Sequence, residues 1–249
     1  MPMLTTEVAD RVFRLEHAYV NCYVVVDGED VLLVDAGLPA TWPLMGWALR
    51  ELGRRPEDVV GLVLTHAHFD HTGFAARLQE RLDVPVWAHE DDHYIAAHPY
   101  RYAHENMRGQ YPFRHPSALR ILGAMARAGA LRVRGVHGLR ALVPGEVLAA
   151  PGAPVVVFSP GHTAGHCALH LPDRDVLISG DALVTLDPYT GVEGPQIIAG
   201  AATADSAQAL ASLDALAATG ATTVLPGHGE PWLGGVVQAV TEARAVGAH

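Results

Sequence analysis

The chain predicts an α/β (α+β) fold in which two similar strand-and-helix halves face one another. Three observations predict it. Short β-branched runs alternate with helical segments in both halves of the sequence. In each half, strands end in loops that carry histidine and aspartate. The composition, 49% apolar and 18% charged over 249 residues, is that of a chain able to bury a large core. A single domain over residues 1–249 is expected, since folds of this kind often reach that length as one unit.

The elements follow in order. Arg11–Leu15 alternates as a half-buried strand does. Val20–Val26 and Val31–Val34 flank Asp27-Gly28-Glu29-Asp30, a β-branched hairpin around a glycine turn. The second of these strands ends in Asp35-Ala36-Gly37. A helix is expected from Thr41 to Leu52, stopped by Gly53. The apolar run Val59–Leu64 reads as a buried strand, Thr72 as the cap of a helix reaching Leu82, and Pro85–Ala88 as a short strand. Between His89 and Arg134 the pattern loosens, with a helical segment from Ser117 to Leu131. This stretch is too short and too polar to bury its own core, so it reads as an insertion that covers the substrate or forms a dimer surface.

The second half returns to strands. Val155–Phe158 leads into Ser159–His166, and Cys167–Leu171 and Val176–Ser179 form a hairpin across Pro172-Asp173-Arg174. Gly180-Asp181 follows, then a loop bearing Gly and Pro over Leu186–Gly200. A helix over Ala204–Ala218 places Leu210, Leu213 and Ala217 on one face. Thr222–Leu225 is a strand that runs into Pro226-Gly227-His228-Gly229, and a terminal helix ends the chain.

Composition excludes some partners. A formal charge of −10 argues against nucleic acid, which calls for a basic footprint. No apolar run approaches the ~20 residues of a membrane span. Met1–Asp10 lacks a basic region followed by an apolar core, so no secretory signal is read and a cytoplasmic location is expected. Cys22 and Cys167 sit in apolar strands and read as small core residues.

The chemistry lies in the fifteen histidines and their positions. Thr65-His66-Ala67-His68-Phe69-Asp70-His71 follows a buried strand, where polar groups are costly unless paired or bound to metal. His162, Asp181 and His228 stand at three further strand ends. Seven imidazole and carboxylate groups suit two metal ions, zinc first and iron or manganese as alternatives. His89, His93, His98, His104 and His115 read as loop or helix residues with ordinary hydrogen bonds. Tyr100, Tyr102, Tyr111 and Tyr189 read as packing residues or as substrate contacts.

These motifs resemble those of the metallo-β-lactamase-fold hydrolases, the group that includes glyoxalase II and the acyl-homoserine lactonases. The resemblance rests on H-x-H-x-D-H, P-G-H-T-x-G-H, a G-D strand end and a late P-G-H-G, in that order between Val12 and Trp232. It implies a four-layer αββα sandwich. It also implies His66, His68 and His162 at one metal, Asp70, His71 and His228 at a second, and Asp181 bridging both. A metal-bridging hydroxide would then attack a small ester-like substrate such as a thioester or lactone, with Asp70 orienting it and shuttling its proton. His166, Asp35 and Thr65 read as groups that orient the ligands. Phosphodiester or β-lactam hydrolysis, or a non-hydrolytic iron redox role, are the alternatives.

Overall fold

In the computed structural model, residues 5–249 are described. Residues 1–4, part of the stretch read above as lacking a secretory signal, lie outside the described residues. Strands β1 (Thr6–Ala9), β2 (Val12–His17), β3 (Val20–Asp27) and β4 (Asp30–Val34) form an antiparallel meander. The β3–β4 turn closes Asp27 on Asp30, with Gly28 at φ +57° in a two-residue loop that demands positive φ. From there the connections become helical. Helix α1 (Thr41–Glu51) leads to β5 (Val59–Val63), and α2 (Ala75–Leu82) leads to β6 (Val86–Ala88). Each of these strands joins parallel to the one before. Three short helices, α3 (His93–Ala97), α4 (Tyr111–Arg114) and α5 (Ala118–Arg127), precede β7 (Arg140–Ala141), which closes a seven-stranded sheet in chain order.

The second sheet begins with β8 (Val155–Phe158), β9 (Cys167–Leu171) and β10 (Val176–Gly180), antiparallel in sequence. A hairpin of β11 (Val184–Leu186) and β12 (Glu193–Gln196) follows, then α6 (Ser206–Ala217), β13 (Thr223–Pro226) and α7 (Val236–Val246). Strand β13 pairs parallel with β10, giving the order β13-β10-β9-β8.

Residue parity sorts the core into layers. Val24, Val26 and Leu33 face outward from the first sheet onto Met45 and Leu49 of α1 and Leu78 of α2. Their neighbours Tyr23, Val25, Leu32 and Val34 face the other way, onto Leu169, Leu171, Ile178 and Leu225 of the second sheet. The far face of that sheet, with Ala168, Leu177 and Val224, packs on Leu213 and Leu216 of α6 and Val240 of α7. Helix, sheet, sheet and helix therefore stack as the αββα sandwich that the resemblance implies. Each fully buried leucine in the middle layer contributes about 1.5–3 kcal/mol, so a one-residue slip in any inner strand would invert its contribution.

Three local expectations are corrected. Thr72 does not cap α2: it is fully buried and its hydroxyl donates to the His68 carbonyl, which tightens the turn of the histidine cluster. The helix begins later, after Phe74, which packs in the core instead of solvating a helix end. The Leu186–Gly200 loop contains the β11–β12 hairpin, whose strands are too short and polar to show alternation. On α6 the buried face centres on Ala209, Leu213 and Leu216, with Leu210 and Ala217 at its edge.

Candidate functional site

Strand ends deliver the site. β4 ends in Asp35, β5 runs into Thr65–His71, β8 into Ser159–His166, β10 into Asp181 and β13 into His228. Strands β4 and β5 are parallel, as are β10 and β13, so the carboxyl ends within each pair lie together. The two sheets share an inner core, and their loops meet at one edge of it.

All seven sequence-predicted residues come together there. Their ligand-capable atoms form three overlapping groups, each within 4.8 Å: His66, His68 and His162; His66, His71 and Asp181; and Asp70, His71 and His228. None of the seven is more than 6% exposed. Asp181 stands between the histidines. Its Oδ2 lies 3.7 Å from His66 Nε2, 3.4 Å from His162 Nε2 and 3.3 Å from His228 Nε2, and its Oδ1 lies 3.4 Å from His71 Nε2.

The hydrogen-bond network assigns the tautomers. His66 Nδ1 donates to Thr65 Oγ1 at 3.1 Å, because that hydroxyl gives its own proton to Asp35 Oδ2 at 2.9 Å. His71 Nδ1 donates to the same Asp35 oxygen at 3.0 Å. His162 Nδ1 meets Thr203 Oγ1, and His228 Nδ1 donates to the Tyr19 carbonyl at 2.6 Å. A neutral imidazole with its proton on Nδ1 carries its lone pair on Nε2. The Nε2 atoms of His66, His68, His71, His162 and His228 are buried without a hydrogen-bond partner, as is Asp181 Oδ1. Buried polar atoms are normally satisfied, so five orphaned Nε2 atoms converging beside a carboxylate fit a divalent cation. Imidazole and carboxylate donors without thiolate suit zinc, iron or manganese.

Charge divides the metal-free cluster. Burial, with His71 nearby, pushes His66 well below the usual histidine range. Burial does the same to His68 and lowers His162 to about 4. Against that burial, Asp181 and Asp35 hold a proton on His71 well above the usual range. Asp181 and Asp70 likewise raise His228 to about 10. Burial alone would raise the Asp181 carboxyl, but His228 and His71 keep it well below the usual carboxylate range. Cations on His71 and His228 thus stand where a metal's charge would stand.

The surrounding groups hold these side chains in place. Asp35 sits at φ +61° and also accepts from the Thr65 amide at 2.8 Å. His166 is not among the converging Nε2 atoms: its Nδ1 donates to Ser159 Oγ at 2.9 Å, and its Nε2 accepts from the Asp181 and Ala182 amides. That imidazole, lowered to about 3 by burial, is a neutral strut for the Asp181 loop. Gly227 is obligatory by space, since a Cβ there would overlap Asp181 Oδ1 and crowd His71.

Sequence reasoning passed over Asp92. It is 1% exposed and accepts from the Ala67 amide at 2.9 Å, Thr163 Oγ1 at 2.8 Å and the Gly165 amide at 2.9 Å. One carboxylate therefore ties the first histidine loop to the Pro-Gly-His loop. Within the run Glu90-Asp91-Asp92 no sequence signal separates it from its neighbours. Thr203, behind His162, was likewise unmarked. Four of the five insertion histidines make ordinary bonds: His93 to the Ala88 carbonyl, His98 to Tyr94, His104 to Asn106, and His89 accepting from the Asp91 amide. From the insertion, Tyr102 reaches the site, its ring 3.9 Å from that of His68. With Phe69, Pro188, Tyr189, Ile198 and Ala202 it encloses a cavity of about 10 Å³ over the cluster.

The sequence profile of the metallo-beta-lactamase superfamily matches residues 16–228, and the chain belongs to that superfamily, a class of metal-dependent hydrolases. Among curated proteins it is similar to the probable metallo-hydrolase YflN of Bacillus subtilis (strain 168), with 28% identity over 92% of this chain and 87% of YflN. Among solved structures it resembles the metallo-beta-lactamase family protein TTHA1429 from Thermus thermophilus. That match has 30% identity and a TM-score of 0.67, covering 91% of this chain and 74% of the other. TTHA1623, solved in a di-iron-bound form, matches at 28% identity and a TM-score of 0.62, over 88% of this chain and 92% of its own. No helix among the described residues is long and apolar enough to cross a membrane.

Proposed function

We propose that this chain hydrolyses a small ester-like substrate, a thioester or lactone, using two divalent metal ions held by the seven-residue cluster. The observation that carries the reading is the convergence of five orphaned histidine Nε2 atoms, four of them within 3.7 Å of the Asp181 carboxylate. His66, His68 and His162 would hold one ion, Asp70, His71 and His228 the other, and Asp181 both. Ions bound there supply Lewis acidity, which brings the pKa of a water towards neutrality and polarises a carbonyl oxygen.

The protein's own groups do the rest. Asp35, Thr65, Thr203 and the Tyr19 carbonyl hold the Nδ1 atoms of His71, His66, His162 and His228, so that these four imidazoles turn Nε2 inward. Asp70 is assigned the orientation of the attacking water and acceptance of its proton, because its buried Oδ2 lies 3.5 Å from His228 Nε2. Phe69, Tyr102 and Tyr189 exclude bulk water from the cluster. The net charge of −10 supports a small substrate over a polyanion. The two free, buried cysteines are in keeping with a cytoplasmic location.

Zinc is the first assignment, and the di-iron form of TTHA1623 supports iron as the second. The test is metal quantification of purified and reconstituted protein, coupled to a panel of thioester, lactone, phosphodiester and β-lactam substrates. About two ions per chain with thioester or lactone turnover is the expected result. A chain that holds no metal after reconstitution, or that turns over only a phosphodiester or β-lactam, overturns the proposal.

A further inference from the structure

Arg108 is the unexplained charge next to the site. Its guanidinium carbon lies 4.1 Å from the centroid of the Tyr102 ring, the same ring that lies 3.9 Å from His68. Its Nε donates to the Ala201 carbonyl at 3.0 Å, one residue from Ala202 in the cavity wall. One terminal nitrogen, Nη2, is buried without a hydrogen-bond partner. No carboxylate among the described residues forms an ion pair with Arg108. Arg55 with Asp58 and Arg244 with Asp214, by contrast, hold ion pairs at the surface.

A guanidinium nitrogen withdrawn from water with nothing to donate to is costly, and a ligand that supplies the acceptor removes that cost. The Nε bond and the Tyr102 stack already fix the plane of the guanidinium, which leaves Nη2 as the donor without a partner, the kind that a carboxylate oxygen accepts from. We propose that Arg108 is a specificity-determining residue that binds a carboxylate on the substrate, so that the preferred ester-like substrate is a monoanionic acyl compound. This rests on the hydrolase reading above and adds the substrate's charge to it. Tyr102 joins the two subsites: its ring stacks under the guanidinium and packs on a histidine of the metal cluster. The cavity of about 10 Å³ has room for roughly one water, so entry of the substrate must displace an aromatic wall residue. Tyr102 is the wall residue that Arg108 covers.

The test pairs two thioesters of one thiol, a succinyl thioester and its succinamoyl counterpart, in which a neutral amide replaces the carboxylate. Zinc-loaded wild type, Arg108→Gln and Arg108→Lys are compared, with thermal melting to confirm that each is folded. Wild type is expected to prefer the succinyl compound in kcat/KM. Arg108→Gln is expected to raise KM for that substrate about 10- to 100-fold while leaving the amide within about twofold, and Arg108→Lys to recover part of the loss. Equal loss on both substrates, or no preference in wild type, overturns the proposal. Direct calorimetric binding of succinate to the same three proteins separates this claim from the hydrolase reading. If neither thioester is cleaved, the thioester reading is in trouble, yet tighter succinate binding by wild type than by Arg108→Gln still supports the carboxylate subsite. Equal binding by the two proteins overturns it.

Discussion

Replacing Asp35 by Asn tests whether the candidate metal site depends on the groups behind its histidines. Asp35 accepts three bonds, from the Thr65 amide at 2.8 Å, the Thr65 hydroxyl at 2.9 Å and His71 Nδ1 at 3.0 Å. Asparagine has nearly the same shape and tolerates φ +61°, so the substitution adds no backbone strain. It leaves one oxygen where there were two and sets an amide against the other partners. If the amide oxygen stays on the Thr65 amide, its NH₂ faces His71 Nδ1. The imidazole then accepts at Nδ1 and protonates at Nε2, the atom required for metal. Losing two charge-assisted bonds should lower the stability of the metal-free protein by about 2–4 kcal/mol. Loss of a carboxylate behind a ligating histidine typically costs 10- to 100-fold in metal affinity, and that is the range expected here. Metal stoichiometry by mass spectrometry, affinity by chelator competition and melting by circular dichroism provide the readouts. A folded Asp35→Asn protein with wild-type metal affinity would refute the reasoning, because it would show that His71 needs no carboxylate to present its lone pair.

Three further outcomes are expected. Gly227→Ala should fold but lose most of its bound metal, since the new methyl overlaps Asp181 Oδ1 and displaces it from between the histidines; a full complement of metal would contradict this. Ser159→Ala removes the acceptor for His166 Nδ1 and should lower the melting point, at a cost of about 1–3 kcal/mol, with the Asp181 loop showing faster amide exchange. The metal-free protein should be most stable close to neutral pH. His162 and His166, lowered to about 4 and about 3 from 6.5 by burial, contribute stability that is present above pH 6.5 and lost as pH falls towards those values. His228, raised to about 10 by Asp181 and Asp70 against burial, contributes stability that is present below pH 6.5 and lost as pH rises through 10. Melting scans from pH 4 to 10 on chelator-treated protein check both limbs, and a melting point that climbs steadily from pH 6.5 to 9.5 would count against the charge assignment.

Much of the architecture was legible in the residues because the two sheets are built from strands with one dominant signal. In β3 and β4 most positions are apolar and six of them are valine, which is what a strand buried on both faces requires. Helix α1 ends just before Gly53, the stop that the sequence offers, which stands at φ +67°. The short elements were not legible. A hairpin of three and four residues such as β11–β12, with Thr, Glu and Gly in it, has no alternation to detect. The cap at Thr72 failed for the opposite reason: tertiary packing claimed a residue whose local context favours a helix end.

The candidate site divides in the same way. By itself the sequence determined the seven cluster residues, because histidine and aspartate at strand ends are chemically conspicuous and stand in recognisable motifs. Only the tertiary structure decided which remote groups stand behind the imidazoles. Asp92 reaches Thr163 across seventy-one positions, and the Tyr19 carbonyl reaches His228 across two hundred and nine. The same holds for the wall above the cluster, where one tyrosine of the insertion reaches the site and its histidines turn to local carbonyls. The physical reason is that a ligand is marked by what it is, whereas the groups that orient it and admit its substrate are marked by where they are.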